Sequence, residues 1–407
     1  MTSTPSKATL NDSAFEIKII SWSEYEHKTP ILLQDVNGPC PLIALINTLL
    51  LKNELIVRNH ILNNSGSELQ LKDTTQNVNE FKSYLEKQYK LTGLISLDDL
   101  ISRLGDLLIV FSDAKAHDNE IQSNVDHLLE KLPLLHTGLS VNPNVVDGTF
   151  PDDDLATIFF KIFDLDLRHG WCLDDSENAT QAWKEETSGD ESEYRSLLSL
   201  LRQLKTFDAL QDFLLAELDR EDQNYQDHEY KQDILKKWLT INQTQLTGAG
   251  LSFLNMSMDP TDVIVFFRNN HFSTLYKRND QEFYTLTTDS SFNKGMKSVN
   301  KIVWQSLVSI SGKEDLFFTG DFFPVLEYEP VETNDEDYRL IKELQENEDA
   351  KIAKRMQEAY NRPNQKRDVS SSKKTDRSGS SKDKSKSVDA KAESSKKEKK
   401  KSNCIIM

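Results

Sequence analysis

LLQDVNGPCPLIALINTLLL, residues 32–51, joins an apolar extended segment to a tight polar turn and then to an apolar helical run. Asn37 and Gly38 suit the unusual backbone angles of such a turn. Pro41 directly follows Cys40, and proline is tolerated in the first turn of a helix because its missing N–H has no intrahelical partner there. We therefore expect Cys40 at the start of a helix, where the dipole lowers a thiol pKa. Alternatively, a single cysteine in such a run is a buried apolar residue.

The charge of the chain is unevenly distributed. The 407 residues carry a net charge of -17, and 28% of them are charged. Residues 362–403 contain 15 Lys/Arg and 6 Asp/Glu, which leaves 34 basic and 60 acidic residues in the remainder. An acidic body with a basic tail argues against nucleic acid as a partner of the folded part. A chain of this length holds one large domain or two smaller ones.

The three cysteines, Cys40, Cys172 and Cys404, include no C-x-x-C pair, so neither a structural zinc site nor a disulfide framework is expected. We expect no metal and no cofactor. The first residues lack the pattern of a signal peptide, and no run of ~18 apolar residues predicts a membrane span. A reducing intracellular compartment is therefore expected, where a free thiol persists.

Apolar periodicity predicts an α+β fold, with helices first and an antiparallel meander after them. Ser96 followed by acidic residues predicts a helix start. Predicted helices after the Cys40 run cover residues 81–89, 97–108, 125–132, 194–218 and 232–239. Predicted strands cover residues 15–20, 262–267, 271–277 and 282–288, and the acidic residues 174–192 are expected to form an exposed insertion.

A cysteine nucleophile requires a base within hydrogen-bond reach and donors for the oxyanion. His271 lies 231 positions after Cys40, at the start of the middle meander strand, and folding would have to bring the two together. Gln34 lies across the turn, so its amide and the Cys40 N–H could donate to an oxyanion. Asp289 and Ser273 are both candidates to orient His271. Seen alone, His271 could equally satisfy carbonyl groups at the strand end.

Two blocks of the sequence resemble the signature blocks of the MINDY family of deubiquitinating cysteine proteases. They are QDVNGPCPL at residues 34–42 and FFRNNHFST at residues 266–274. Further similar stretches are LPLLHTGLSVN at 132–142, FDLDLRHGWCL at 163–173 and VWQSL at 303–307.

The resemblance spans about residues 14–325 and implies a papain-like cysteine protease variant, whose antiparallel β-meander carries the histidine. It implies that Cys40 is the nucleophile, His271 the general base and Gln34 the oxyanion-hole residue. It further implies hydrolysis of isopeptide bonds in polyubiquitin, with preference for lysine-48-linked chains trimmed from the distal end.

By position in the family, Val141, Trp171 and Phe267 would contact ubiquitin. Trp171 could also be a core residue. The chain departs from the family at Ser140, where an acidic residue is common, and this departure bears on linkage preference.

The composition of residues 1–13 predicts a disordered leader, and the C-terminal part of the chain predicts three further segments. Residues 335–361 are helix-favouring and highly charged, and Ile352, Ala353 and Met356 share one face that resembles a ubiquitin-interacting helix. A charged linker helix is the alternative. Residues 362–403 have the composition of a disordered basic linker.

The last four residues, 404–407, fit a C-a-a-X prenylation motif, with Met favouring farnesyl on Cys404. One lipid chain together with the upstream lysines supplies the two signals that stable anchoring needs. We therefore expect a cytoplasmic enzyme tethered to a membrane face. The alternatives to a deubiquitinase are a catalytically silent polyubiquitin-binding protein and a protease for a ubiquitin-like modifier.

Overall fold

The computed structural model describes residues 14–22, 28–35, 38–63, 72–115, 119–218, 221–293 and 302–325. The helices in these ranges are α1 Cys40–Asn63, α2 Asp73–Leu91, α3 Leu97–Ala114, α4 Asn119–Lys131, α5 Leu134–Thr137, α6 Leu155–Ile162, α7 Glu177–Thr187, α8 Glu191–Leu204, α9 Phe207–Leu215, α10 Tyr225–Ile241 and α11 Gly248–Ser257. The strands are β1 Ala14–Ile20, β2 Thr29–Leu32, β3 Leu94–Ser96, β4 Leu167–His169, β5 Val263–Arg268, β6 His271–Asn279, β7 Glu282–Leu286, β8 Ile302–Ser306 and β9 Phe317–Thr319. This mixture of helices and sheets confirms the α+β class.

The larger sheet has the strand order β4-β5-β6-β7-β8-β9. The β4–β5 pair is parallel and all other pairs in this sheet are antiparallel. The strands β5, β6 and β7 form the meander predicted from the sequence. Asn269 and Asn270, with φ of 51° and 55°, form the two-residue turn between β5 and β6, because asparagine tolerates left-handed backbone.

A smaller sheet of order β2-β1-β3 lies at the N-terminus. Its strand β2 leads directly into the segment before α1. The side chain of Asn47 joins α1 to this strand: its amide donates to Leu32 O at 2.9 Å and its oxygen accepts from Leu32 N at 2.8 Å. Thr48, the next residue of α1, forms a hydrogen bond with Thr274 of β6, and their hydroxyl oxygens are 2.9 Å apart. Helix α1 is thereby fixed to both sheets.

Helix α1 is the central core element. Residues Cys40–Leu62 are long and apolar enough to cross a membrane by length and composition, but 78% of the apolar window is buried inside the fold. A helix that is apolar on all sides is typical of a protein core. The largest buried cluster contains the first half of α1 together with residues of α2, α3, α6 and β5.

Two sequence predictions differ from the structure. The acidic residues 174–192 contain α7, because Trp183 provides an apolar side that packs into a helical core while the charged residues face outward. The single helix predicted over 194–218 is two helices, α8 and α9. Lys205 breaks it with a φ of 67°, and its carbonyl accepts from Val145 N at 2.8 Å. Ser96 caps α3 as predicted, accepting from Asp99 N at 3.1 Å.

Candidate active site

Cys40 is the first residue of α1, as the sequence predicted. Its side chain is partly exposed and packs at the edge of the largest apolar cluster, which also contains Phe267 and Phe272. The N–H groups of Phe272 and of Cys40 itself lie close enough to the thiol to influence its ionisation. Phe272 directly follows His271, so the fold brings together the two blocks that the sequence separates.

The pKa of the Cys40 thiol is raised, not lowered. Burial is the larger effect and disfavours the thiolate, whereas the N–H groups of Phe272 and Cys40 partly offset it. The pKa lowering expected from the helix terminus alone is therefore wrong, because desolvation exceeds the contribution of these donors.

His271 begins β6 and lies opposite Arg268 in the β5–β6 register. Successive side chains of a strand point to opposite faces, so Phe272 faces α1 and His271 faces the other side of the sheet. Burial lowers the pKa of His271, and the imidazole is therefore neutral near pH 7. Within the described part of the chain, the His271 ring forms no hydrogen bond, and none joins it to Cys40.

A cavity of about 500 Å³ lies on the His271 side of the sheet. Its walls include Gln34, Ser273 and Asp289, so four of the predicted site residues share one space. Among the described residues that line it, Cys40 is absent. In this structure the thiol and the imidazole therefore lie beside the same strand end without facing each other.

Gln34 is held tightly in place. Its backbone N–H donates to Thr288 O at 2.7 Å, and its carbonyl accepts from Ser290 N at 2.8 Å. Its side-chain amide donates to Gly38 O at 2.8 Å. A Cβ at Gly38 would lie 2.8 Å from Gln34 Cγ, so this close approach requires glycine.

Neither candidate for orienting the imidazole bonds it in the described structure. Ser273 Oγ donates to Phe266 O at 3.3 Å, and Asp289 Oδ1 accepts from Ser291 N at 2.8 Å. Asp289 is exposed, and its backbone pairs with Gln34 as an isolated parallel bridge. These two residues support the cavity wall, and the prediction that one of them completes a triad stays a prediction.

The three predicted ubiquitin-contact residues differ in exposure. Val141 is half-buried at the edge of the large core cluster. Trp171 is 4% exposed and stacks on Trp238 with ring centroids 5.4 Å apart, and Phe267 is 6% exposed. Trp171 and Phe267 are therefore core residues in this structure, and Val141 alone of the three offers accessible apolar surface.

Sequence reasoning missed His169 as a buried polar residue. It is 1% exposed, its Nε2 lies 3.0 Å from Thr149 O and its Nδ1 accepts from Trp171 N at 3.1 Å. Burial lowers its pKa to about 4, so it is neutral and carries its proton on Nε2. The parallel pairing of β4 with β5 places it opposite Phe267. The sequence signal for its burial was that His169 precedes a glycine in a short segment flanked by Leu167 and Trp171.

The other cysteine that the structure describes, the expected metal chemistry and the terminal segments remain to be placed. Cys172 is buried, and burial raises the pKa of its thiol to about 12. Within the described ranges, no group of three His, Cys, Asp or Glu side chains could hold a metal ion. The leader, Asn37, the predicted ubiquitin-interacting helix with Ile352, Ala353 and Met356, the basic linker and Cys404 lie outside the described residues.

Comparisons with known proteins bear directly on this arrangement. The profile of the MINDY deubiquitinase family matches residues 13–322. The ubiquitin carboxyl-terminal hydrolase MIY1 of Saccharomyces cerevisiae is 31% identical over 369 residues, which cover 84% of this chain and 87% of the relative. Human MINDY-2 is 29% identical over 307 residues, which cover 74% of this chain and 39% of the relative.

Zebrafish MINDY-1, also named a ubiquitin carboxyl-terminal hydrolase, is 28% identical over 312 residues, or 75% of this chain and 48% of the relative. This chain thus matches less than half the length of these two vertebrate proteins but most of the yeast protein. The family match covers the candidate site, from Gln34 to His271. The chain belongs to the MINDY family of deubiquitinases.

Proposed function

We propose that this deubiquitinase cleaves ubiquitin conjugates with Cys40 as nucleophile, His271 as general base and Gln34 as oxyanion donor. The observation that carries the proposal is the packing of Cys40 against the apolar cluster that contains Phe272, the neighbour of His271. Two segments 231 positions apart in the chain meet there. A helix that presents its first residue to a histidine-bearing strand is also the arrangement of a papain-like protease, and we extend the proposal to that fold variant.

The electrostatics of the site favour a neutral resting pair. Burial raises the pKa of Cys40 and lowers that of His271, so both are uncharged near neutral pH. Because the thiol and the imidazole do not face each other in this structure, the proposed reaction requires the imidazole to turn towards the thiol. The thiol proton then passes to the imidazole as sulfur attacks the isopeptide carbonyl. His271 returns this proton to the leaving lysine amine, and water hydrolyses the thioester.

The oxyanion step requires a change at Gln34. Its amide donates to Gly38 O in the substrate-free structure, so substrate must compete for that donor or use its second N–H. The N–H of Cys40 is the second proposed donor. Each donor of this kind contributes strongly because it acts on charge that develops in a partly desolvated site.

The test uses ubiquitin that carries a C-terminal electrophile. Cys40→Ala should abolish covalent labelling, and Cys172→Ala is the matched control because Cys172 is buried and its pKa is raised to about 12. His271→Ala should slow labelling while the protein stays folded by circular dichroism. Labelling that persists in Cys40→Ala would contradict the assignment.

We further propose lysine-48-linked chains, trimmed from the distal end, as the preferred substrate. Support comes from the resemblance of residues 132–142 to the family and from the accessible position of Val141. Incubation with chains of each linkage, read on a gel over time, tests this. Equal rates for all linkages would refute the preference, and Ser140→Asp should sharpen it if an acidic residue there contributes to selection. Cleavage of a ubiquitin-like modifier in preference to ubiquitin would refute the choice of substrate.

The C-terminal motifs support two further parts of the proposal. Residues 335–361 would bind additional ubiquitin units through Ile352, Ala353 and Met356, and farnesyl on Cys404 with the basic linker would tether the enzyme to a cytosolic membrane face. Cys404→Ser should move the protein from the membrane fraction to the supernatant. Identical fractionation of both forms would refute the tether. Ala353→Arg should weaken binding to polyubiquitin without changing hydrolysis of a single-ubiquitin substrate. Equal binding of polyubiquitin by the variant and the parent would refute the proposed ubiquitin-binding role of residues 335–361.

A further inference from the structure

A second contact fixes the segment that carries Gln34. Ser290 is 5% exposed, and its hydroxyl donates a hydrogen bond to Asp35 Oδ1. Asp35 also accepts from Gly38 N through its carbonyl, at 2.8 Å. Asp35 is therefore held at its carboxylate by one segment and at its backbone by the turn. We call the Ser290–Asp35 hydrogen bond the clasp.

The clasp connects the two sides of the candidate site. Ser290 begins a short 3-10 helix, Ser290–Asn293, directly after the segment that follows β7. That segment is continuous with the sheet that carries His271, whereas Gln34 and Asp35 lead towards Cys40. The clasp therefore fixes the proposed oxyanion donor relative to the proposed base.

The backbone contacts of Gln34 with the segment after β7 do not extend to Asp35, which the clasp joins to that segment. They form a single isolated bridge between Gln34 and Asp289 and do not continue as a strand. After this bridge the chain turns away through Asp35, whose side chain is exposed to competing water. The buried hydroxyl of Ser290 adds a side-chain contact to Asp35 at this point.

We propose that Ser290 is a positioning residue for catalysis, which holds Gln34 in register with His271 through its hydrogen bond to Asp35. This inference rests on the proposed roles of Gln34 and His271. Hydrolysis needs the Gln34 amide within reach of the oxyanion, whereas simple alkylation of the thiol forms no oxyanion. Loss of the clasp should therefore slow hydrolysis and leave alkylation unchanged.

The experiment measures kcat and KM for hydrolysis of ubiquitin that carries a fluorophore as a C-terminal amide. Ser290→Ala should lower kcat about five-fold, the factor expected for one lost hydrogen bond, with KM unchanged. Ser291→Ala is the matched control, since Ser291 is exposed and contributes its backbone N–H to the segment. The rate of Cys40 alkylation by chloroacetamide is measured on the same proteins.

Conservative variants separate positioning from general stability. Ser290→Thr keeps the hydroxyl and Asp35→Asn keeps the acceptor oxygen, so both should keep kcat near that of the parent. Asp35→Ala removes the acceptor from an exposed position and should lower kcat at least as much as Ser290→Ala, which tests the clasp even if Ser290→Ala folds poorly.

Three results would overturn the inference. They are a parental kcat in both Ser290→Ala and Asp35→Ala, an equal decrease in Ser291→Ala, and a parallel decrease in alkylation. Failure of the proposed function is visible separately, because Cys40→Ala would then still hydrolyse the substrate. An inactive Cys40→Ala beside an unaffected Ser290→Ala refutes the clasp alone.

Discussion

Replacement of Asn47 by alanine should cost more stability than most single substitutions, because Asn47 is the buried connection between α1 and β2. Its side chain is 0% exposed and satisfies both the N–H and the C=O of Leu32, at 2.8 and 2.9 Å. Alanine can replace neither bond. The two backbone groups of Leu32, also 0% exposed, would remain buried without partners.

The magnitude follows from these two groups. Each buried polar group that loses its partner costs ~1–3 kcal/mol, which gives about 2–6 kcal/mol for the pair. Alanine regains about 0.6 kcal/mol through its higher helix propensity. We therefore expect a decrease of roughly 1.5–5.5 kcal/mol in the free energy of unfolding, a large part of the ~5–15 kcal/mol typical of a folded domain.

Urea unfolding followed by tryptophan fluorescence measures this change. Asn59→Ala is the matched control, because Asn59 lies on the same helix but is exposed. It gains the same propensity and loses no buried bond, so the difference between the two variants isolates the contacts with Leu32. A difference below about 1 kcal/mol would show that water replaces the side chain and would refute the reasoning.

Three further outcomes are expected. The rate of Cys40 alkylation should reach half its maximum at a pH above the ordinary pKa of cysteine, because burial raises the pKa of this thiol. The rate of hydrolysis should begin to fall only below the ordinary pKa of histidine, because burial lowers the pKa of His271. Profiles of rate against pH check both, and a Cys40 thiolate at neutral pH would contradict the first. His169 stays neutral in the folded protein down to about pH 4, whereas the unfolded chain takes up its proton first; stability should therefore fall as pH falls towards that value, by up to ~1.4 kcal/mol per pH unit. Urea titrations at several pH values should show a smaller slope for His169→Gln, and an unchanged slope would argue against the buried neutral ring. Trp171→Ala should cost roughly 3–5 kcal/mol of unfolding free energy, as expected for a core tryptophan, and a loss below about 1 kcal/mol would contradict its placement.

Local patterns were sufficient for several elements. Ser96 and the acidic residues after it predict the start of α3, because a cap satisfies N–H groups within one turn. The largely apolar and β-branched residues 262–267 and the Asn269–Asn270 turn predict the β5–β6 hairpin, because a two-residue turn pairs strands that are adjacent in sequence. In each case the interacting groups are close in sequence.

Helix boundaries in the middle of the chain depended on distant residues. Lys205 ends α8 without glycine or proline, since its carbonyl bonds Val145 on another segment. Trp183 makes an acidic stretch helical because it has a core to pack into. Composition alone does not show that such a core exists nearby.

The order of residues 32–51 is enough to predict the chemical groups available there: one thiol at a helix start, a glycine turn and an amide six residues before the cysteine. Tertiary structure decided the state of those groups. Cys40 packs against the cluster that contains Phe272, the Gln34 amide donates to the Gly38 carbonyl, and the Ser290 hydroxyl donates to Asp35, and only folding creates these contacts. The pKa of Cys40 rises for the same reason, because desolvation depends on the neighbours that the whole chain places around a group and not on the residues beside it.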